Sequence, residues 1–182
     1  GGRGQINIMN ADGSGVVNVS NNAFCDRSPD WSPDGEKITF MSDREGDWDI
    51  WVMNADGSGQ RQVAGNPGLD RAPSWSPDGS RIAWESHVTG MPNIWTCEAD
   101  GQNSCPLIDP NPESPMRFQS VMRGEQGVFQ FQEGSIGSVF ADHSMYLWDP
   151  VWSPDGRHIA AGALHTASGE TVALLAADGS SL

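Results

Sequence analysis

The chain is poor in the side chains from which most active sites are assembled. It holds 4 His, 3 Cys and a single Tyr in 182 residues. None of His87, His143, His158 and His165 forms a close pair at zinc-ligand spacing. There is no Gly-x-Ser-x-Gly elbow, no His-Glu-x-x-His and no phosphate-binding loop. Gly134–Ser138 has glycines but lacks the spacing and the following helix of a nucleophile elbow, so it reads as a turn. The sequence therefore nominates no catalytic residue, no metal ligand set and no cofactor. Positive charge is also scarce, with 10 Lys and Arg against 24 Asp and Glu for a net charge of −14. That balance repels phosphate backbones and anionic lipid, which argues against nucleic acid and membrane partners. No apolar run approaches the ~20 residues of a membrane-spanning helix, and no segment sustains a 3.6-residue apolar period, so helix content should be near zero.

Turn-forming residues and tryptophan are plentiful: Gly 22, Pro 12 and Trp 8. They fall into two ladders in phase. Trp-Ser-Pro-Asp-Gly occurs at Trp31–Gly35, Trp75–Gly79 and Trp152–Gly156, and Ala-Asp-Gly at Ala11–Gly13, Ala55–Gly57, Ala99–Gly101 and Ala177–Gly179. The first steps of both are 44 residues, a period that marks a repeat architecture. In Ser-Pro-Asp-Gly, Pro presets φ, Asp bonds the backbone two residues on, and Gly supplies the positive φ that closes a turn. Asp34, Asp78 and Asp155 therefore read as structural turn residues, since a single active site has no use for a copy in every unit.

Each repeat reads as four short strands. The strand after Ser-Pro-Asp-Gly places its apolar face at Ile38/Phe40, Ile82/Trp84 and Ile159/Ala161, a period of two. The third strand, such as Asp49–Met53 or Asn93–Cys97, runs into Ala-Asp-Gly, and a short outer strand closes the unit. Trp51 between Ile50 and Val52 puts large side chains on both faces, as a sheet stacked between two others requires. Four-stranded antiparallel units of ~40–45 residues with two buried faces are the blades of a β-propeller. The fold class is all-β, a partial or four-bladed propeller.

The ladder divides the chain into the end of a blade at 1–20, blades at 21–64 and 65–108, an irregular stretch at 109–148, and a blade lacking its outer strand at 149–182. The irregular stretch is either a degenerate blade or an insertion. The chain opens Gly1-Gly2-Arg3-Gly4 ahead of a strand from the middle of a repeat, and reads as a piece of something longer. Open blade edges would then favour self-association. Cys97 and Cys105 sit symmetrically about Gly101, where a hairpin would set them opposite each other. They are either a disulfide, implying an oxidising compartment, or two small buried residues that never bond.

The run Pro29–Gly35, Ile38–Arg44 and Asp49–Gly57 closely resembles the TolB-type propeller repeat, and Pro73–Gly79, Ile82–Ser86 and Asn93–Gly101 match it nearly as well. The resemblance covers about 140 of the 182 residues and weakens between Gly156 and Ala177. It implies a propeller from an exported bacterial protein, periplasmic or extracellular, acting as a non-catalytic scaffold for a protein or peptide partner. Related propellers also gate serine peptidases or form metal-dependent polysaccharide lyases, and these are the alternatives. The matched motif carries no catalytic residue.

Residues outside the motif are the candidates for binding. Asp26-Arg27 and Asp70-Arg71 precede their tryptophans, where they either bridge neighbouring blades or line the mouth of the ring; the third copy has Leu147-Trp148. The irregular stretch contributes Phe118, Phe129, Phe131, Tyr146 and Trp148, aromatics that either fill a blade or form a specific surface. The loop Asp43–Asp49 carries four carboxylates at alternate positions but lacks the glycine and glutamate of a calcium hand, and reads as a solvated hairpin.

Overall fold

A computed structural model describes residues 3–88, 90, 92–107, 117–123, 129–135, 145–165 and 169–178, with 117–123 and 129–135 described by their backbone. Every regular element among them is a strand. β1 (Asn7–Ile8) and β2 (Val17–Asn18) form a two-stranded sheet. Blade 1 is β3 (Asp26–Trp31), β4 (Lys37–Ser42), β5 (Asp49–Asn54) and β6 (Arg61–Ala64) in sequential antiparallel order. Blade 2 repeats this with β7 (Asp70–Trp75), β8 (Arg81–Ser86), β9 (Asn93–Glu98) and β10 (Cys105–Pro106). The last sheet contains β11 (Arg117–Arg123), β12 (Phe129–Ser135), β13 (Met145–Trp152), β14 (His158–His165) and β15 (Gly169–Ala176), in the order β12-β11-β15-β14-β13.

That order revises two boundaries. The expected blade at 149–182 was to lack an outer strand, yet β11 occupies the outer position by pairing Gln119–Val121 with Val172–Leu174. Its inner strand also begins earlier, at Met145. An open strand edge leaves a row of unpaired backbone groups, and here a strand from earlier in the chain pairs it. The described part of 109–148 is thus a hairpin added to the last blade together with the first residues of β13.

Three apolar layers lie between consecutive sheets. Ile38, Phe40 and Met53 meet Ile6 and Val19 of the first sheet. Met41, Ile50, Val52 and Val63 meet Trp75, Ile82, Trp84 and Cys97 across the seam between blades 1 and 2. Ala83, Ile94 and Leu107 meet Leu147, Trp152, Ile159, Ala161 and Leu175 of the last blade. The two-faced composition of the strands follows from this stacking. Polar ties cross the same seams: Arg61 donates to the carbonyls of Ala99 and Asp100, Arg81 to that of Ala177, and Trp152 Nε1 to that of Ser74.

The lower end of each blade is built by the repeated turns. Ser32, Ser76 and Ser153 donate to Asp34, Asp78 and Asp155 at 2.6–2.7 Å, and each carboxylate also accepts the backbone N–H two residues on. These hydrogen bonds hold all three carboxyls below the ordinary aspartate range, Asp78 at about 2. The inner strands share a bulge that the sequence did not announce. The register slips between Arg27 and Asp30, Arg71 and Ser74, and Trp148 and Val151. Ser28, Ala72 and Asp149, each before a proline, take φ near +50° there.

The disulfide alternative fails on register. Cys105 pairs with Thr96 rather than Cys97, and a one-residue slip sends a side chain to the opposite face. Cys97 is buried in the seam with blade 1, its thiol pushed up to about 12 by burial, while Cys105 is exposed; all three cysteines are free.

Three substitutions test this construction. Gly57 and Gly13 both have φ near +85°, but a Cβ at Gly57 would meet the Val19 carbonyl while one at Gly13 meets nothing. Gly13→Ala should cost about 1 kcal/mol for the backbone conformation alone, and Gly57→Ala roughly twice that or more, read by urea denaturation. Asp78→Ala should lose about 1 kcal/mol at pH 7, a hydrogen-bonded carboxylate discounted for exposure. Because the folded carboxyl titrates below the unfolded one, that difference should shrink as pH falls from 4 towards 2.

Candidate functional site

The upper end of the blades, opposite the repeated turns, is where the copies stop resembling one another. It is formed by the starts of β3, β5, β7 and β9, the ends of β4 and β8, the 43–48 and 65–69 connections, and residues 87–88. The inner strands β3, β7 and β13 pack side by side, which sets corresponding positions on them in a row at the upper end. Those positions are Arg27, Arg71 and Trp148.

Each is held differently. The guanidinium of Arg27, an exposed residue, lies 5.5 Å from the centre of the Trp48 ring. Arg71 reaches across its strand pair to Glu85, with Nε at 2.9 Å and Nη2 at 2.8 Å from Oε1. Glu85 is fully buried, and His87 Nε2 stands 2.8 Å from the same oxygen. Asp149, exposed on the bulge of β13, adds a second negative charge near Arg71. On the last blade the Trp148 indole covers Gly162, its cross-strand partner, where a Cβ would come within 2.3 Å of Nε1. Glycine there makes room for tryptophan where blade 2 has a glutamate and an arginine.

Asp26 and Asp70 do not accompany their arginines to the mouth. Both are buried. Asp26 binds Arg44 Nη2 at 3.2 Å and Asn22 Nδ2 at 2.7 Å. Arg44, from the loop read as solvated, is folded inward over the Phe40 and Trp51 rings, 4.2 Å from the centre of Trp51. Asp49, from the same loop, is buried too. Arg27 and Arg71 make a ring contact and an ion pair inside their own blades, and Asp149 of the last blade also acts on Arg71. The seam itself is crossed here by backbone, Asp70 N–H donating to the Trp48 carbonyl at 2.7 Å.

Tyr146 is half-buried on β13 opposite Leu164. Phe118 lies on β11, and Phe129 and Phe131 on β12; their side chains lie outside the described residues. From the sequence alone Glu85 and Arg44 have no role at a site, and His87 is weighed only as a metal ligand. Only a comparison of the copies for charge, Glu85 against Met41 and Arg44 against Val88, would have drawn attention to them.

At the lower end, a cleft of about 620 Å³ separates blades 2 and 3, lined by Arg81, Trp152, Arg157, His158 and the Asp78 turn. Arg81 is already occupied there with the Ala177 carbonyl, Thr96 Oγ1 and the Trp152 ring. Among the described residues no three His, Cys, Asp or Glu side chains converge to hold a metal ion, and no helix is long and apolar enough to cross a membrane.

This architecture recurs in solved structures. A protein described as a putative TolB from Agrobacterium tumefaciens superposes with TM-score 0.69 at 21% identity, over 98% of this chain and 55% of that one. TolB from Acinetobacter baumannii gives 0.52 at 19%, over 94% and 49%. An oligogalacturonate lyase from Vibrio parahaemolyticus gives 0.56 at 12%, over 89% and 36%. At such identities the likeness is one of fold, and the chain spans about half the length of the TolB structures. A comparison with curated proteins gives no match. Residues 1–108 match the TolB β-propeller domain model, and with more than half its length inside that match, the chain belongs to the TolB β-propeller family.

Proposed function

We propose that the chain is a non-catalytic scaffold that binds a protein or peptide partner at the upper mouth of the propeller, in an exported bacterial protein of the periplasm or cell exterior. One observation carries the reading. The inner-strand position that opens on the mouth is the arginine of blade 1, the arginine of blade 2 and the tryptophan of the last blade, on a backbone whose register and bulge repeat. A position serving only the blade would keep one solution, as the turn aspartates do. Arginine and tryptophan are also the residue types that most often dominate binding energy at protein interfaces. Each is held in place before any partner arrives, by Trp48, by Glu85 with His87, and by the space above Gly162. Such preorganisation lowers the entropic cost of association.

Affinity capture tests this, with the tagged chain and a bacterial periplasmic extract. Arg71→Glu and Trp148→Ala should each weaken retention of the captured protein by about 30-fold or more, as loss of a hot spot does. Arg157→Glu, at the opposite end, should leave it unchanged. Retention that depends on Arg157 and not on the mouth would refute the site, and cleavage of a polyuronate by the purified chain would replace the scaffold with a lyase.

A further inference from the structure

Blades 1 and 2 carry the same buried polar row across their upper ends, with different charges in it. In blade 1 the row is Asp26, Ser42 and Asp49, in cross-strand register. In blade 2 it is Asp70, Ser86 and Asn93. All six residues are at most 2% exposed. The last blade has Leu147 paired with Ala163 in the same place, and both are in its apolar layer. Blade 1 supplies a cation to its row through Arg44. Forty-four positions on, blade 2 has Val88.

Asp70 is therefore a buried carboxyl that meets no countercharge among the described residues. Neither of its oxygens makes a hydrogen bond of acceptable geometry. The Ser86 hydroxyl, the Asn66 backbone and the Trp84 indole stand near enough to favour its charged form, but burial outweighs them, and Asp47 adds like charge. Asp49 faces Asp47, Asp70 and Glu45, with Gln62 as its polar partner. The nearby cations are committed elsewhere: Arg44 to Asp26, Arg71 and His87 to Glu85, and Arg27 to the face of Trp48. The backbone that joins the two blades at this point is short. Asp70 N–H donates to Trp48, His87 N–H to Leu69, and Gly68 N–H to the Asp47 carboxylate.

We propose that the seam between blades 1 and 2 is a proton-responsive lock, closed while the carboxyls of Asp70 and Asp49 are neutral and loosened when they ionise beside Asp47. Ionisation would bury charge with no cation to meet it and set like charges against one another across the seam. Consistent with this, burial and then Asp47 and Asp70 push the Asp49 carboxyl up to about 6, and burial pushes Asp70 in the same direction. A carboxyl raised on folding keeps, in the folded chain, a proton that the unfolded chain has lost. Its contribution favours folding fully below the ordinary aspartate value and disappears as pH rises through about 6. The hydrogen-bonded turn aspartates are shifted the opposite way and act below pH 4, so they do not mask this window. The lock is independent of what the mouth binds.

Thermal unfolding and amide exchange of the 182-residue chain between pH 7.5 and pH 5 test it. Wild type should gain about 2–4 °C in midpoint on acidification, the size of shift that one favourable protonation produces in a chain of this length. The Asp70 and His87 amides should become better protected at pH 5 once intrinsic exchange rates are corrected for. Asp49→Asn should show the raised midpoint and the protection already at pH 7.5, with little further change on acidification, and Asp70→Asn should do the same in part. Asp56→Asn, in an exposed turn, should show neither. The lock is wrong if Asp70→Asn and Asp49→Asn both follow the wild-type pH dependence, or if both lower the midpoint at pH 7.5. It is also overturned if millimolar calcium raises the wild-type midpoint at pH 7.5 and not that of Asp70→Asn, because the countercharge is then a cation rather than a proton.

Discussion

Burial of apolar surface between consecutive sheets is the interaction on which the rest of this molecule depends. A single four-stranded sheet of this composition would leave Ile50 and Val52 on one side, and Phe40 and Met53 on the other, in water. Stacking covers both sides, at roughly 25 cal/mol per Å² of apolar surface removed from solvent. The turns, bulges and inter-blade arginines make that stacking repeatable. Arg61 and Arg81 satisfy carbonyls of the next blade, and the bulged inner strands bring each Trp of the repeated motif against its predecessor. Trp75 and Trp152 are 6% and 8% exposed in such seams, whereas Trp31 is 47% exposed.

The architecture was legible because it is dictated by features that recur. Period-2 alternation at Ile38/Phe40 and Ile82/Trp84, and turns marked by Ser-Pro-Asp-Gly, survive reading without coordinates because each depends on a few adjacent residues. The upper end was less legible for the opposite reason. Arg44 folds inward because Trp51 and Phe40 offer ring faces and Asp26 offers charge, and those partners lie up to 18 positions away. The Cys97–Cys105 symmetry was real in sequence, yet register is set by the hydrogen bonds of the turn, where Gly101 N–H bonds the Glu98 carbonyl, and a slip of one residue undid it. The outer strand of the last blade could not be read at all, since β11 reaches it out of sequence order.

Charge at the upper end shows how a repeat acquires individuality without losing its frame. Blade 1 pairs its buried aspartate with a guanidinium, blade 2 has Val88 in that arginine's place and Trp84 beside Trp95, ring centres 6.4 Å apart, and the last blade is apolar there. Backbone path and register are the same in the first two. What changes is the electrostatic environment, which the framework tolerates because its stability comes from the apolar layers below.

The described ties between blades differ by direction, with Arg61 and Arg81 donating forward to the next blade and the Trp152 indole and Trp75 N–H donating back to the one before, and that gives the stack a polarity. The Trp of each repeated motif is covered by the blade before it, and Gly57 and Gly101 press on Val19 and Val63 of the sheet before them. A blade therefore completes its predecessor while remaining incomplete itself until something follows. In an array with nearest-neighbour coupling, the two sides of a blade are then chemically unlike: one presents the indole and the turn carbonyls that meet the preceding blade, the other the arginine and the inner-strand carbonyl that meet the next. Fraying, growth and the joining of one array to another should for that reason be directional, with head-to-tail contact favoured over a symmetric one.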